Sequence, residues 1–160
     1  MRVIVTGATS FIGSHAVQAL VSQGFEVCAL IRPNSAGKKN LEQMIIKKEL
    51  LEIIECELSG LKELAVNAEK LSKIGQKWSH DLGRADYWLH LGWDGSGSDN
   101  RKLADIQSMN AVYALDALET AAAVNCKRFL FCGSQAEYGV RNTTMRETDE
   151  LHPLSGVWKG

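Results

Sequence analysis

The sequence predicts a three-layer α/β/α fold built on one parallel sheet. Three observations carry that expectation. Short β-branched and apolar runs alternate with helical patterns five times along the chain. The runs are apolar almost throughout, as strands covered on both faces are. A glycine-rich turn joins the first run directly to the first helix.

The elements follow in order. "RVIVT", Arg2–Thr6, is a β-branched run bounded by Gly7 and reads as the first strand. From Phe11 the spacing of Ile12, His15, Ala16, Ala19, Leu20 and Gln23 is helical, and Gly24 supplies the stop. "FEVCALIR", Phe25–Arg32, is the second strand, ended by Pro33-Asn34, and a helix is expected over Ala36–Lys48. "LLEIIEC", Leu50–Cys56, is the third strand. Leu61, Leu64, Ala65, Ala68, Leu71 and Ile74 recur at threes and fours, so a helix is expected from Leu61 to Lys77. "ADYWLHLG", Ala85–Gly92, is the fourth strand, followed by the loop "GWDGSGSDN". A long helix is expected over Asn100–Val124, its apolar positions being Leu103, Ile106, Met109, Ala111, Leu115 and Leu118. "KRFLFCGS", Lys127–Ser134, is the fifth strand. The strand order expected of this arrangement is 3-2-1-4-5, with ligands at the carboxyl ends of the strands near the switch between strands one and four.

Composition excludes several classes. At 160 residues, 45% hydrophobic and 23% charged with net charge −1, the chain has enough apolar residues for one core. Nothing in that charge balance points to nucleic acid or a membrane surface. No apolar run is long enough to span a bilayer. Cys28, Cys56, Cys126 and Cys132 form no CxxC pair, and three of them lie in or at the end of strand-like runs, so reduced thiols in a cytoplasmic protein are expected. The four histidines show no metal-ligand spacing.

The turn "VTGATSFIGS" places Gly7 and Gly13 at the outer positions of a dinucleotide-binding fingerprint. Gly7 allows the tight turn and Gly13 the close approach of the first helix. The helix N-terminus then offers free N–H groups and a positive dipole end to a pyrophosphate. At the end of strand two, Arg32 stands where an arginine meets a 2′-phosphate, which leans toward NADP over NAD.

Taken together these motifs resemble the extended short-chain dehydrogenase/reductase family, and within it the NAD(P)-dependent epimerase/dehydratase group, over Met1 to about Ser155. "TGATSFIG" matches that family's TGxxGxxG, with Ser10 in place of the middle glycine. The resemblance implies a Rossmann-like domain whose cofactor, NADP or NAD, lies against Gly7, Thr9, Ser10, Phe11, Ile12 and Gly13. It implies further contacts from Glu57 and Leu58, after strand three near adenine, and from Leu91, Gly92 and Trp93, after strand four. By the same resemblance Asn110 organises the active site and Ser134 hydrogen-bonds the reacting oxygen of the substrate. Taken singly, Ser134 also reads as a turn residue or helix cap. The substrate class implied is a nucleotide-linked sugar.

The chemistry of that family needs a Tyr-x-x-x-Lys pair on the next helix. Alignment through Pro153 and Ser155 puts Val157 at the tyrosine position and the lysine just past Gly160. The expectation is therefore one NAD(P)-binding domain over 1–160, truncated and without the substrate domain. Three readings compete: an enzyme of this family, truncated or retaining some activity; a catalytically dead NADP-binding module with a sensing or partner role; and a non-functional fragment of a disrupted gene, with Val157 arguing against full activity. A one-nucleotide shift of a Val-Trp-Lys-Gly reading that uses GTA for Val157 restores Tyr-Gly, so a frameshift tail is expected at "VWKG". Loss of the next helix is also expected to leave "FLFC" at a sheet edge and Leu115 and Leu118 exposed, favouring homo-oligomers or aggregation.

Overall fold

The computed structural model describes residues 1–66, 85–97, 100 and 103–152. Five strands, β1 Arg2–Thr6, β2 Glu26–Ile31, β3 Leu51–Glu55, β4 Tyr87–His90 and β5 Arg128–Phe131, form one sheet in the order β3-β2-β1-β4-β5. All four pairings are parallel, with Val3 beside Val27, Val5 beside Leu89, Ala29 beside Ile53 and Leu89 beside Leu130. The described helices are α1 Phe11–Ser22, α2 Lys38–Met44, α3 Leu61–Val66 and α4 Ala104–Ala123.

Period-two alternation divides the strands between two cores. Val3, Val5, Val27, Ala29 and Ile31 face one side and pack with Val17 and Val21 of α1 and Leu41 of α2. Ile4, Cys28, Leu30 and Trp88 face the other, against Leu61 and Leu64 of α3 and Ala117, Ala121 and Val124 at α4. Apolar residues on both faces of one strand are what a covered parallel sheet requires.

Two helices differ from expectation. The helix expected over Ala36–Lys48 is only Lys38–Met44. Ile45 turns extended at φ −95 and ψ 118 and buries its side chain in the α1–α2 core, which ends the helix. The α4 helix spans Ala104–Ala123, but the apolar positions read from its sequence are not its buried face. Leu103, Met109, Leu115 and Leu118 are exposed, while Gln107, Asn110, Ala117, Thr120 and Ala121 are buried. Small and hydrogen-bonding residues spaced by threes and fours let α4 lie close to the sheet and to α3. Thr120 Oγ1 donates to the carbonyl of Leu61 across that contact at 2.9 Å. The expected helix beyond Val66, to Lys77, lies outside the described residues.

Strand β5 pairs with β4 alone among the described residues and is the sheet edge, as expected. Leu130 and Phe131 are each 48% exposed, and Leu115 is 61% exposed. Cys132, read from its run as a small core hydrophobe, is exposed because that edge is open.

Candidate functional site at the carboxyl ends of the strands

The first glycine of the β1–α1 turn is forced by its neighbours. Gly7 has φ +68, and a Cβ there would lie 2.6 Å from the Leu91 carbonyl oxygen and 2.7 Å from the Gly92 nitrogen. A Cβ on Gly13 would run into the Gly7 carbonyl. The two glycines thus let β1, α1 and the chain after β4 meet at the point where strand order reverses.

Ser10 takes the cap of α1. Its Oγ accepts from Gly13 N at 3.0 Å, an N-cap bond that satisfies one of the helix's free donors. The N–H groups of Phe11 and Ile12 have no intrahelical partner by position, and both side chains are exposed, Phe11 at 83%. Thr9 faces the next loop: its Oγ1 lies 2.9 Å from Ser35 Oγ, and its carbonyl oxygen would be 2.8 Å from a Cβ on Gly37.

On the β2–β3 side, Arg32 is exposed at the end of β2, and its carbonyl accepts from Ser35 N at 3.1 Å. Glu57 is also exposed, whereas Leu58 is half-buried with Cδ2 2.7 Å from the Cβ position of Gly92. Leu58 therefore reaches across to the β4 loop while Glu57 points to solvent-accessible space. Glu55, at the end of β3, pairs with Lys38 at 2.8 Å, and that bond raises the lysine pKa.

The chain after β4 is held from two directions. Thr6 Oγ1 accepts from Gly92 N at 3.2 Å and lies 2.9 Å from His90 Nδ1. The threonine hydroxyl also carries one hydrogen that Nδ1 of a neutral imidazole can accept. His90 is almost fully buried and stacks on Phe129 and Phe131 at 5.9 Å each. Burial lowers its pKa from 6.5 to about 4. From the other direction, Asn110 Oδ1 accepts from Asp94 N at 2.7 Å and its Nδ2 donates to Asp94 O at 3.0 Å. Gln107, one turn earlier on the same face, accepts from Trp93 Nε1 at 2.9 Å and donates to the carbonyls of Gly95 and Asn100.

Ser134 follows β5. Its N–H donates to Glu137 Oε1 at 2.9 Å, and Glu137 N donates to its carbonyl at 3.1 Å. The Glu137 carboxylate thus caps the N–H of Ser134 at the start of a helical turn, Gln135–Tyr138, whose first backbone bond closes on the Ser134 carbonyl. The turn fixes Ser134 just beyond β5. Tyr138 sits at the end of that turn, its carbonyl accepting from Arg141 Nε at 3.3 Å. Val157 lies outside the described residues.

The structure therefore gathers Gly7, Leu91 and Gly92 directly, and joins Leu58 to Gly92 and Asn110 and Trp93 to the β4 loop. Ser134 leaves the same end of the neighbouring strand, since His90 pairs with Phe131. Arg32 and Glu57 stand at the far half of that edge. Thr6, His90, Gln107 and Glu137 went unassigned in the sequence. Thr6 and His90 lay within quoted motifs but 84 positions apart, so only their pairing was hidden. Among the described residues no cluster of metal-ligating side chains occurs, and no helix is long and apolar enough to cross a membrane.

Comparisons with known proteins agree with this architecture. A UDP-glucose 4-epimerase of Pisum sativum is 27% identical over 141 residues, which is 86% of this chain and 38% of that protein. The solved UDP-glucose 4-epimerase of Thermotoga maritima, with UDP-glucose, superposes on 99% of this chain at TM-score 0.69 and 25% identity. The UDP-glucuronic acid 4-epimerase of Bacillus cereus, in complex with NAD, does so at TM-score 0.66 and 25% identity. The chain spans less than half the length of these relatives, 47% of each of the two solved chains. The model of the NAD dependent epimerase/dehydratase family matches residues 3–156, nearly the whole sequence, and the chain belongs to that family.

Proposed function

We propose that residues 1–160 are the nicotinamide-dinucleotide-binding portion of a protein whose family chemistry acts on nucleotide-linked sugars, and that this portion binds cofactor without turning it over. The substrate-binding portion is assigned to sequence that these residues do not include, in keeping with relatives more than twice as long. The observation that carries the reading is the Gly7–Gly13–Gly92 junction. It brings three backbones within reach of one another at the strand-order switch, beside the free N–H groups of Phe11 and Ile12.

The residues fit a dinucleotide. Phe11 and Ile12 N–H groups meet its pyrophosphate, with the dipole of α1 behind them. Gly7, Thr9, Ser10 and Gly13 shape that turn, and Ser10 narrows it relative to glycine because its hydroxyl occupies Gly13 N. Arg32 and Glu57 serve the adenosine half, and the Arg32 guanidinium suits a 2′-phosphate, so NADP is preferred although solved relatives hold NAD. Leu58, Leu91, Gly92 and Trp93 border the other half. When bound, the dinucleotide supplies hydride acceptance and return. Asn110 holds the β4 loop in place, and Ser134 positions the substrate oxygen. Val157 at the tyrosine position carries no exchangeable proton, so acid/base transfer at that oxygen has no donor there. A cytoplasmic setting fits four free cysteines.

Fluorescence titration with NADPH and NADH tests the reading. Both are expected to bind, NADPH more tightly, and Arg32→Glu is expected to reverse the order, a charge change on the order of ten-fold at one phosphate contact. Binding of neither nucleotide would sink the proposal and leave a fragment without cofactor function.

A further inference from the structure

We infer that Gln107 is a positioning residue for the nicotinamide half of the proposed cofactor site, acting by locking the indole of Trp93. The inference rests on the proposed cofactor reading and deepens it. Gln107 is 6% exposed, so its amide must be satisfied within the protein. Three bonds do this. Trp93 Nε1 donates to Oε1 at 2.9 Å, and Nε2 donates to Gly95 O at 3.2 Å and Asn100 O at 3.0 Å. The amide orientation is fixed by chemistry, because the indole N–H is a donor only and must meet the oxygen.

The described part of the loop packs closely on α4. Gly95, at φ +67, lies so near α4 that a Cβ there would be 2.6 Å from Ile106 Cγ2 and 3.0 Å from Gln107 Nε2. Asn110 grips Asp94 beside it. The Trp93 ring, tethered at Nε1, also tilts against Phe131 at a centroid distance of 6.4 Å. Trp93 thus stands between Gly92, which borders the Gly7 turn, and the end of β5, which leads to Ser134.

Position in the sheet says which half of the cofactor this wall serves. Dinucleotides bind across the strand-order switch, with the adenosine ribose read from the end of β2. Arg32 occupies that end, so the β4–β5 side is left to the nicotinamide nucleotide. A fixed indole there restricts where that half sits. Release of the ring by loss of Gln107 should weaken the whole dinucleotide and leave its adenosine half unaffected.

The experiment compares the 160-residue chain with Gln107→Ala and Trp93→Phe, titrating each with NADPH and with 2′,5′-ADP. Gln107→Ala is expected to weaken NADPH about five-fold, roughly the effect of one net hydrogen bond, and to leave 2′,5′-ADP within about two-fold. Trp93→Phe keeps an apolar ring but removes the N–H, and should shift the same ratio in the same direction by a smaller factor. It covers the case in which Gln107→Ala fails to fold, because Trp93 is half-buried on a loop. Equal weakening of both ligands would show a merely structural role and overturn the inference, as would an unchanged NADPH affinity. If the unaltered chain binds neither ligand, the cofactor reading itself falls and takes this inference with it.

Discussion

His90 shows how one side chain ties stability to the site. Its imidazole is buried against two phenylalanines of β5, with the Thr6 hydroxyl at Nδ1. The charged form is penalised there, so the folded pKa, about 4, lies below the ordinary 6.5. Between those values the unfolded chain binds a proton that the folded chain does not. Stability is therefore full above pH 6.5, falls as pH drops toward about 4, and levels off below it. The total loss is on the order of 3 kcal/mol, from about 1.4 kcal/mol per pKa unit. Urea melts across pH 4 to 7 read this directly, and His90→Phe should flatten that part of the profile. A slope unchanged in that variant would assign the dependence to other groups.

At the scale of elements, α4 is the instructive case. Its hydrophobic residues occupy more than one side, so helical periodicity alone selects no face. The sheet selects the small side, where Ala117 is fully buried, and leaves Leu115 exposed at 61%. Two substitutions separate these faces. Ala117→Leu over-packs the contact with the sheet and should cost about 1–3 kcal/mol. Leu115→Ala should change stability by less than about 0.5 kcal/mol beyond helix propensity. The opposite ranking in urea midpoints would place the buried face where the leucines are. The strands gave no such ambiguity, because both faces of each inner strand are apolar and both are covered.

For the whole molecule, one group of exposed apolar residues lies on α4 and on β5, the last strand of the sheet. Leu115 and Leu118 on α4 and Leu130 and Phe131 on β5 are all exposed, and β5 carries an unpaired edge among the described residues. With a net charge of only −1, little long-range repulsion opposes association. The 160-residue chain is expected to self-associate with rising concentration in sedimentation velocity. Leu115→Lys with Leu118→Lys should shift it toward monomer without lowering its melting temperature by more than a few degrees. A concentration-independent monomer in the unaltered chain would refute this.

By itself the sequence determined the five strands, the glycine turn and the class of fold, because local steric rules set these: branched residues extend, Gly7 turns, and Gly13 leaves room. It also carried the family resemblance, since Gly7, Gly13, Gly92, Asn110 and Ser134 stand in order along the chain. The tertiary structure decided what depends on distant partners. It set which face of α4 is buried, and ended α2 early so that Ile45 could enter the core. It paired Thr6 with His90 and Gly92, and it gave Gln107 its hold on Trp93. A hydrogen bond's worth depends on whether both partners are buried together, and no local spacing encodes that meeting.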